Sequence, residues 1–433
     1  MAMRFGRLKQ RIKFRPETIR TKNKAKPLKM ILDLNKFIHE KVLERKESFF
    51  QEDIVSNKLA LQDTIEGKKI LVIGGGGTIG SNYIKSILRF KPASVVVVDS
   101  NENGLTELVR DVRSTNGLFV PDTFITYPVN FGSSIFKKIY EAYKPFDIIA
   151  NFAAHKHVRS EKDIFSIEAM VQNNLLYAHQ LLTLVENDKP SRFFCVSTDK
   201  AANPVNIMGA TKKLMEDLIM TFASRMHCTT ARFANVAFSN GSLLDGFIRR
   251  VMSRQPLSVP KDVTRYFVSP AESGDICMLT CMLGNSGEIF FPKFSENMLT
   301  NFYDITHNFL QEIGYSIKEC STEAEAKDFA AGMGLNSSHY PVYGFTSDTT
   351  GEKLYEEFYT NEEQPDMQRF QSLGVIKASV AAAGLNDMDN FFSQMEQLLN
   401  KSAVEKSEIV QLLEKYIPTF AHIETGKLLD KKM

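Results

Sequence analysis

Residues 69–81 read KILVIGGGGTIGS: a short apolar run passes straight into four glycines and then into a helix start. Glycine is required where a chain turns sharply and where backbone must come close to a pyrophosphate. Gly74, Gly77 and Gly80 fit the spacing GxxGxxG. The helix that opens at Thr78 and Ile79 offers unbonded N–H groups and the positive end of its dipole to such a phosphate. A glycine pattern alone is weak. Here a strand precedes it, a helix follows it and a βαβ unit begins, which is the context that gives it meaning.

The next apolar run, 94–98 (SVVVV), ends at Asp99. An acid about 20 residues past the last glycine is placed to accept hydrogen bonds from adenosine ribose hydroxyls. Ser100, Asn101 and Glu102 follow, with no Lys or Arg among them to pair with a 2′-phosphate. The cofactor expected is therefore NAD rather than NADP. The plainer reading of Asp99 is an N-cap for the following helix.

Further runs at 146–150 (FDIIA), 192–196 (RFFCV) and 230–236 (TARFANV) alternate with helical patterns at 81–90, 102–115, 134–143, 165–187 and 210–225. Nearly continuous apolar strands alternating with helices indicate a parallel sheet covered on both faces. The fold class expected is α/β: a Rossmann doubly wound parallel sheet with a smaller α/β substrate lobe and helical N- and C-terminal extensions. The boundaries drawn are 1–60 for a basic arm and helix, 61–245 for the NAD-binding domain, 246–360 for the substrate lobe and 361–433 for the C-terminal extension. Residues 31–60 read as one amphipathic helix, with Ile31, Leu34, Phe37, Ile38 and Val42 on a stripe. Residues 386–416 read as helical, with Phe391, Phe392, Met395, Leu398 and Leu399 on one side.

A length of 433 residues suits two or three domains, and 43% hydrophobic with 24% charged residues is ordinary for a globular chain. The formal net charge of +2 implies no general attraction to nucleic acid. Residues 1–30 nevertheless carry eleven Lys and Arg against Glu17 alone. That arm reads as solvated chain, as a peripheral contact with an anionic leaflet or neighbouring subunit, or as a presequence. No stretch reaches the roughly 20 apolar residues of a membrane helix, and the basic start does not resemble a secretory signal. Five cysteines without a CxxC pair argue against a disulfide framework or zinc site and suit a reducing cytoplasm. Cys277 and Cys281 sit at helical spacing in an apolar run, as buried thiols do. The histidines and acids show no metal-ligand spacing, so no metal is expected.

Residues 196–213 read VSTDKAANPVNIMGATKK. Thr198, Asp199 and Lys200 fall at the carboxyl end of a central strand, the edge where open α/β sheets bind ligands. A charged pair there is costly without a partner or a role. Met208 and Lys212 stand four residues apart, on one helix face.

Together with AAHKHV (153–158), RFANV (232–236) and GEKLYEE (351–357), these segments resemble the extended short-chain dehydrogenase/reductases. Within that group they resemble the nucleotide-sugar (UDP-N-acetylglucosamine) 4,6-dehydratases of polysaccharide and bacillosamine synthesis. The resemblance covers roughly residues 65–300 and the GEKLYEE segment. Met208 stands where most relatives carry a Tyr, as in the retaining, bacillosamine-type branch. The resemblance implies NAD, a UDP-sugar substrate, a cytoplasmic enzyme and a homo-oligomer built by helices 165–187 and 210–225 across a two-fold axis. It places Thr198, Asp199, Lys200, Met208 and Lys212 at the chemistry, with Lys212 also on the nicotinamide ribose. Gly74, Gly77, Thr78, Ile79, Gly80, Asp99, Ser100, Asn101, Ala153 and Ala154 would hold the cofactor. Lys156, Asn235 and Arg265 would hold the sugar nucleotide; a guanidinium can grip a diphosphate in bidentate fashion. Lys353 is a weaker candidate.

The implied reaction moves hydride from carbon 4, loses water across carbons 5 and 6 and returns hydride to carbon 6. Lys200 is assigned as base for carbon 5 and Asp199 as acid for the departing hydroxyl. An alternative is a resting ion pair whose proton shifts during turnover. Thr198 or a water relays the carbon 4 hydroxyl proton. The chain departs from the pattern in its basic arm, in Arg159 for a usual Pro, in Asn151 for a usual His and in a longer 315–345 region. Two rival readings are an epimerase on the same scaffold and a non-catalytic NAD-binding scaffold.

Overall fold

A computed structural model describes residues 32–334, 336–347, 356–378 and 385–423. The basic arm, Lys353 and most of the GEKLYEE segment lie outside these residues.

Six parallel strands follow in chain order: β1 (Lys69–Ile73), β2 (Ser94–Asp99), β3 (Thr123–Pro128), β4 (Ile148–Asn151), β5 (Arg192–Val196) and β6 (Cys228–Ala231). Beyond them come β7 (Asn235–Val236), β8 (Leu257–Pro260), β9 (Thr264–Val268), β10 (Glu288–Pro292), β11 (Leu299–Asn301), β12 (Ser316–Cys320), β13 (His339–Phe345), β14 (Pro365–Asp366) and β15 (Leu373–Lys377). The main sheet runs β14-β15-β10-β6-β5-β4-β1-β2-β3. Strand order reverses at β1 and β4, and the crevice beyond their carboxyl ends is where doubly wound sheets take ligands.

Alternate residues of the central strands face two cores. Leu71, Ile73, Val96 and Val98 pack with helices Ser134–Tyr143 and Ile207–Phe222. Ile70, Val72, Val95 and Val97 pack on the other side with helices Thr78–Leu88 and Pro270–Leu283. Both faces of β1 and β2 are therefore dry, which is why their sequences are almost unbroken Val, Ile and Leu. β3 is a half-exposed edge strand with a mixed pattern, and the apolar-run criterion misses it.

Three features differ from the sequence reading. First, the boundaries at 245/246 and 360/361 do not follow the sheet. β10 pairs parallel with β6, and β15 pairs antiparallel with β10, so segments assigned to the lobe and to the helical extension complete the Rossmann sheet. Second, 230–236 is not one strand. Pairing stops at Ala231, and Asn235 opens β7, which pairs with β9 in a separate sheet instead of ending β6. Third, 31–60 is not one helix. A helical turn over 34–42 gives way to irregular chain, and the helices Gln51–Ser56 and Lys58–Ile65 follow. At the break Glu44 has φ 50, and Arg45 turns inward to the buried Glu272, with Nε to Oε1 at 2.9 Å and Nη2 to Oε2 at 2.7 Å. The long 315–345 region holds β12, helix Glu323–Ala331 and β13, which joins β8 in a small parallel sheet.

The C-terminal helices Leu385–Leu399 and Lys406–Tyr416 lie against the helices expected to pair across a two-fold axis. Phe392 stacks on His179 with ring centroids 4.1 Å apart, and His179 meets the edge of Phe222. Ile423 N–H donates to the Val205 carbonyl at 3.0 Å. The chain's own helical hairpin covers part of that face around His179 and Phe222.

Candidate functional site

The glycine turn sits at the switch point. Gly74 has φ +78°, and a Cβ there would lie 2.5 Å from Ala153 N, at the start of the loop after β4. A Cβ on Gly80 would lie 2.3 Å from the Gly74 carbonyl. Side chains are excluded at both points, so the strand end, the helix start and the β4 loop close together into a cradle of bare backbone. Gly77 is the N-cap of helix Thr78–Leu88 and gives it no side-chain cap, which leaves the first N–H groups for a ligand. The Thr78 hydroxyl accepts from Asn240 N–H at 3.0 Å, and Ile79 packs on the core below.

Asp99 ends β2 beside this cradle. Its Oδ2 accepts from Gly76 N–H and its Oδ1 from Asn101 N–H, both at 2.8 Å. The cap of the next helix is Asn101, whose Oδ1 accepts from Gly104 N–H at 3.0 Å; Asp99 is not the cap. A carboxylate accepts about four hydrogen bonds, so Asp99 has capacity left for two ribose hydroxyls. Ser100 is exposed at the rim. Bare backbone, an open helix N-terminus and this acid together fit an adenine dinucleotide.

On the far side of β4, the end of β5 carries the second cluster. The Lys200 ammonium lies 3.1 Å from both oxygens of Asp199, and the Thr198 hydroxyl donates to Asp199 Oδ1 at 2.8 Å. Asp199 is buried, while Lys200 keeps about a third of its side chain in water, 31%. Thr198 also caps the short turn Asp199–Ala201. Met208 is buried on the first turn of helix Ile207–Phe222, with its N–H donating to Glu161 Oε1 at 3.1 Å. One turn later the buried Lys212 ammonium donates to the Val196 carbonyl at 2.9 Å, at the very end of β5. Burial pulls its pKa below the usual lysine value.

The loop after β4 is pinned by a residue the sequence reading did not single out. Asn174 Oδ1 accepts from His155 N–H at 2.8 Å, and its amide donates to the His155 carbonyl and to the Thr211 hydroxyl. Asn174 lies in a π turn, Gln172–Leu176, beside Gln172 and Asn173, and nothing local in the sequence sets it apart from them. Ala154 belongs to this loop, and Lys156 is exposed on it with Asp245 as a charged neighbour.

Glu356 is the larger omission. It comes to the site from more than a hundred residues beyond Asp199 in the chain. Its Oε1 accepts from the Asn235 amide at 2.6 Å and its Oε2 from Tyr266 N–H at 2.7 Å. Asp199, Lys200 and Arg265 are its charged neighbours. Arg265 is buried in β9 and donates to the Thr264 carbonyl at 2.8 Å. Asn235, Arg265 and the Asp199–Lys200 pair therefore converge on Glu356. Behind them Arg232, with no exposed surface, spans Glu216 (2.9 and 3.0 Å), Glu363 (2.8 Å to each oxygen) and the Phe358 carbonyl (2.9 Å).

Fold and site together define a Rossmann-type α/β protein with a dinucleotide cradle and an ionisable cluster two strands away. The sequence profile of the polysaccharide biosynthesis protein family matches residues 70–378, and the chain belongs to that family. An uncharacterised membrane protein of Methanocaldococcus jannaschii is 27% identical over 78% of this chain and 94% of its own length. The probable polysaccharide biosynthesis protein EpsC of Bacillus subtilis is also 27% identical, over 76% of this chain. The chain spans about half of EpsC, 52%. The structure of Pen from Bacillus thuringiensis shares the fold with a TM-score of 0.60 at 21% identity, covering 81% of this chain and 98% of Pen. Among the described residues no helix is long and apolar enough to cross a membrane.

Proposed function

We propose that this chain is an NAD-dependent nucleotide-sugar 4,6-dehydratase whose substrate is a UDP-N-acetylhexosamine, UDP-N-acetylglucosamine first. The observation that carries the reading is the Asp199–Lys200 pair with its Thr198 partner at the end of β5, across β4 from the glycine cradle. When bound, NAD supplies the hydride acceptor for carbon 4 and the donor for carbon 6. The protein has to bind both ligands and move protons.

Gly74, Gly77, Gly80 and the first turn at Thr78 and Ile79 hold the pyrophosphate, and Asp99 with its Ser100–Asn101 rim holds the adenosine ribose. Ala153 and Ala154 wall the nicotinamide side, and Lys212 holds the nicotinamide ribose. Arg265 and Lys156 bind the diphosphate, and Asn235 the sugar. Met208 contributes only apolar surface, so the carbon 4 hydroxyl proton leaves through the Thr198 hydroxyl to solvent water. A proton shift across the 3.1 Å contact from Lys200 to Asp199 produces the neutral amine needed to take the carbon 5 proton.

Incubation with a panel of UDP-, GDP- and dTDP-hexoses, followed by mass and NMR analysis, tests the reading. A 4-keto-6-deoxy product, lighter by one water, is expected. An isomerised sugar of unchanged mass would establish the epimerase instead. In the Lys200→Met variant, solvent deuterium uptake at carbon 5 should fall by about 10²–10⁴; undiminished uptake would remove Lys200 from the base role.

A further inference from the structure

Two carboxyls meet at the end of β5, and their partners differ. Asp199 faces a hydroxyl donor at 2.8 Å and an ammonium at 3.1 Å. Glu356 accepts from two neutral donors, the Asn235 amide at 2.6 Å and the Tyr266 N–H at 2.7 Å. Its charged neighbours are the Asp199 carboxylate, which repels a second negative charge, and Lys200 and Arg265, which attract one. Removal from water, and then Asp199, push the Glu356 carboxyl up to about 8. When two acids share a site and one is better paired, the other keeps the proton.

Glu356 is also held in place. The neighbouring Glu357 accepts from the Asn203 amide at 3.1 Å, and Asn203 lies in the loop just after the Asp199–Ala201 turn. Arg232 fixes the same segment at Phe358 and Glu363. The segment is clamped across the carboxyl ends of β5 and β6.

We propose that Glu356 is a catalytic acid that gives its proton to the hydroxyl leaving carbon 6. This assignment rests on the dehydratase reading, and it replaces Asp199 in the acid role. In the elimination, Lys200 first passes its proton to Asp199. The C5–H bond then breaks, its proton goes to the Lys200 amine, and its electron pair becomes the C5–C6 double bond. The C6–O bond breaks, the oxygen takes the Glu356 proton, and water departs. As carbon 6 is reduced, Lys200 returns a proton to carbon 5 and recovers its own from Asp199. Glu356 regains a proton from water, matching the carbon 4 hydroxyl proton released through Thr198.

The test compares the full chain with its Glu356→Gln and Glu356→Asp variants, with NAD present, on UDP-N-acetylglucosamine and its 6-deoxy-6-fluoro analogue. Fluoride departs without a proton donor. In Glu356→Gln, dehydration of the hydroxyl substrate should fall by about 10²–10⁴, with fluoride release kept within about tenfold. Deuterium uptake at carbon 5 of recovered substrate should persist, and Glu356→Asp should lie between. Dehydration by the unaltered protein should decline as pH rises through about 8, while fluoride release should not. Full-rate dehydration by Glu356→Gln, or an equal loss with both substrates, would overturn the acid role. If the unaltered protein loses neither water nor fluoride and returns an isomerised sugar, the dehydratase reading itself fails, and the acid role fails with it.

Discussion

At the scale of single residues, the cradle is decided by what glycine lacks. A methyl on Gly80 would meet the Gly74 carbonyl at 2.3 Å, and backbone cannot yield as a flexible side chain can. Gly80→Ala should therefore weaken NAD binding, measured by calorimetry, by tenfold or more, while the far-UV spectrum stays unchanged; this takes about 1.4 kcal/mol as one factor of ten. Asp99→Ala removes the acceptor of two loop N–H groups as well as the ribose contact. A hydrogen bond to a charged group contributes about 1.5–3 kcal/mol, so loss of even one ribose bond should lower affinity by roughly 10–100-fold. The glycines and Asp99 were legible in the sequence because a sharp turn and a strand-end acid are local requirements. Asn174 and Glu356 were not, because their partners lie in other elements.

At the scale of elements, Arg232 joins helix Ile207–Phe222 to the segment that carries Glu356. Burial works to raise the Glu216 carboxyl, but the Arg232 guanidinium outweighs it and the net shift is downward. A depressed folded pKa means the pair stabilises the fold above the ordinary glutamate range, and that contribution is lost as pH falls through the lowered value. Arg232→Met leaves Glu216 buried without its cation. Removing one partner of a buried pair costs about 3–5 kcal/mol, which thermal unfolding at neutral pH would register. The loss should shrink in acid, where Glu216 takes a proton. Lys at this position should not restore stability, since it cannot serve two carboxylates and a carbonyl in one plane. From sequence, RFANV looked like strand; the Arg that interrupts it points to a tertiary purpose.

At the scale of the molecule, the C-terminal hairpin covers the helices around His179 and Phe222 with Phe391, Phe392 and Met395. Ending the chain after residue 378 would expose that apolar face, and exposed patches of this kind drive association. The truncated protein should shift to dimers or larger species in size-exclusion chromatography with light scattering, relative to the full chain. An unchanged mass would show that the hairpin does not shield an association surface.

The glycine turn, the alternation of buried strands with helices, and the placing of Thr198, Asp199 and Lys200 at a strand end follow from the sequence by itself. Each depends on backbone freedom or on periodicity within a few residues, and neighbours in the chain are enough to encode it. Only the tertiary structure decided that β10 and β15 return to the Rossmann sheet, that the hairpin occupies the outer helical face, and that Glu356 meets Asp199. Those contacts join residues more than a hundred positions apart in the last case, and no local propensity specifies them. They form because burying apolar strands and helix faces outweighs the slowly growing entropy of closing long loops.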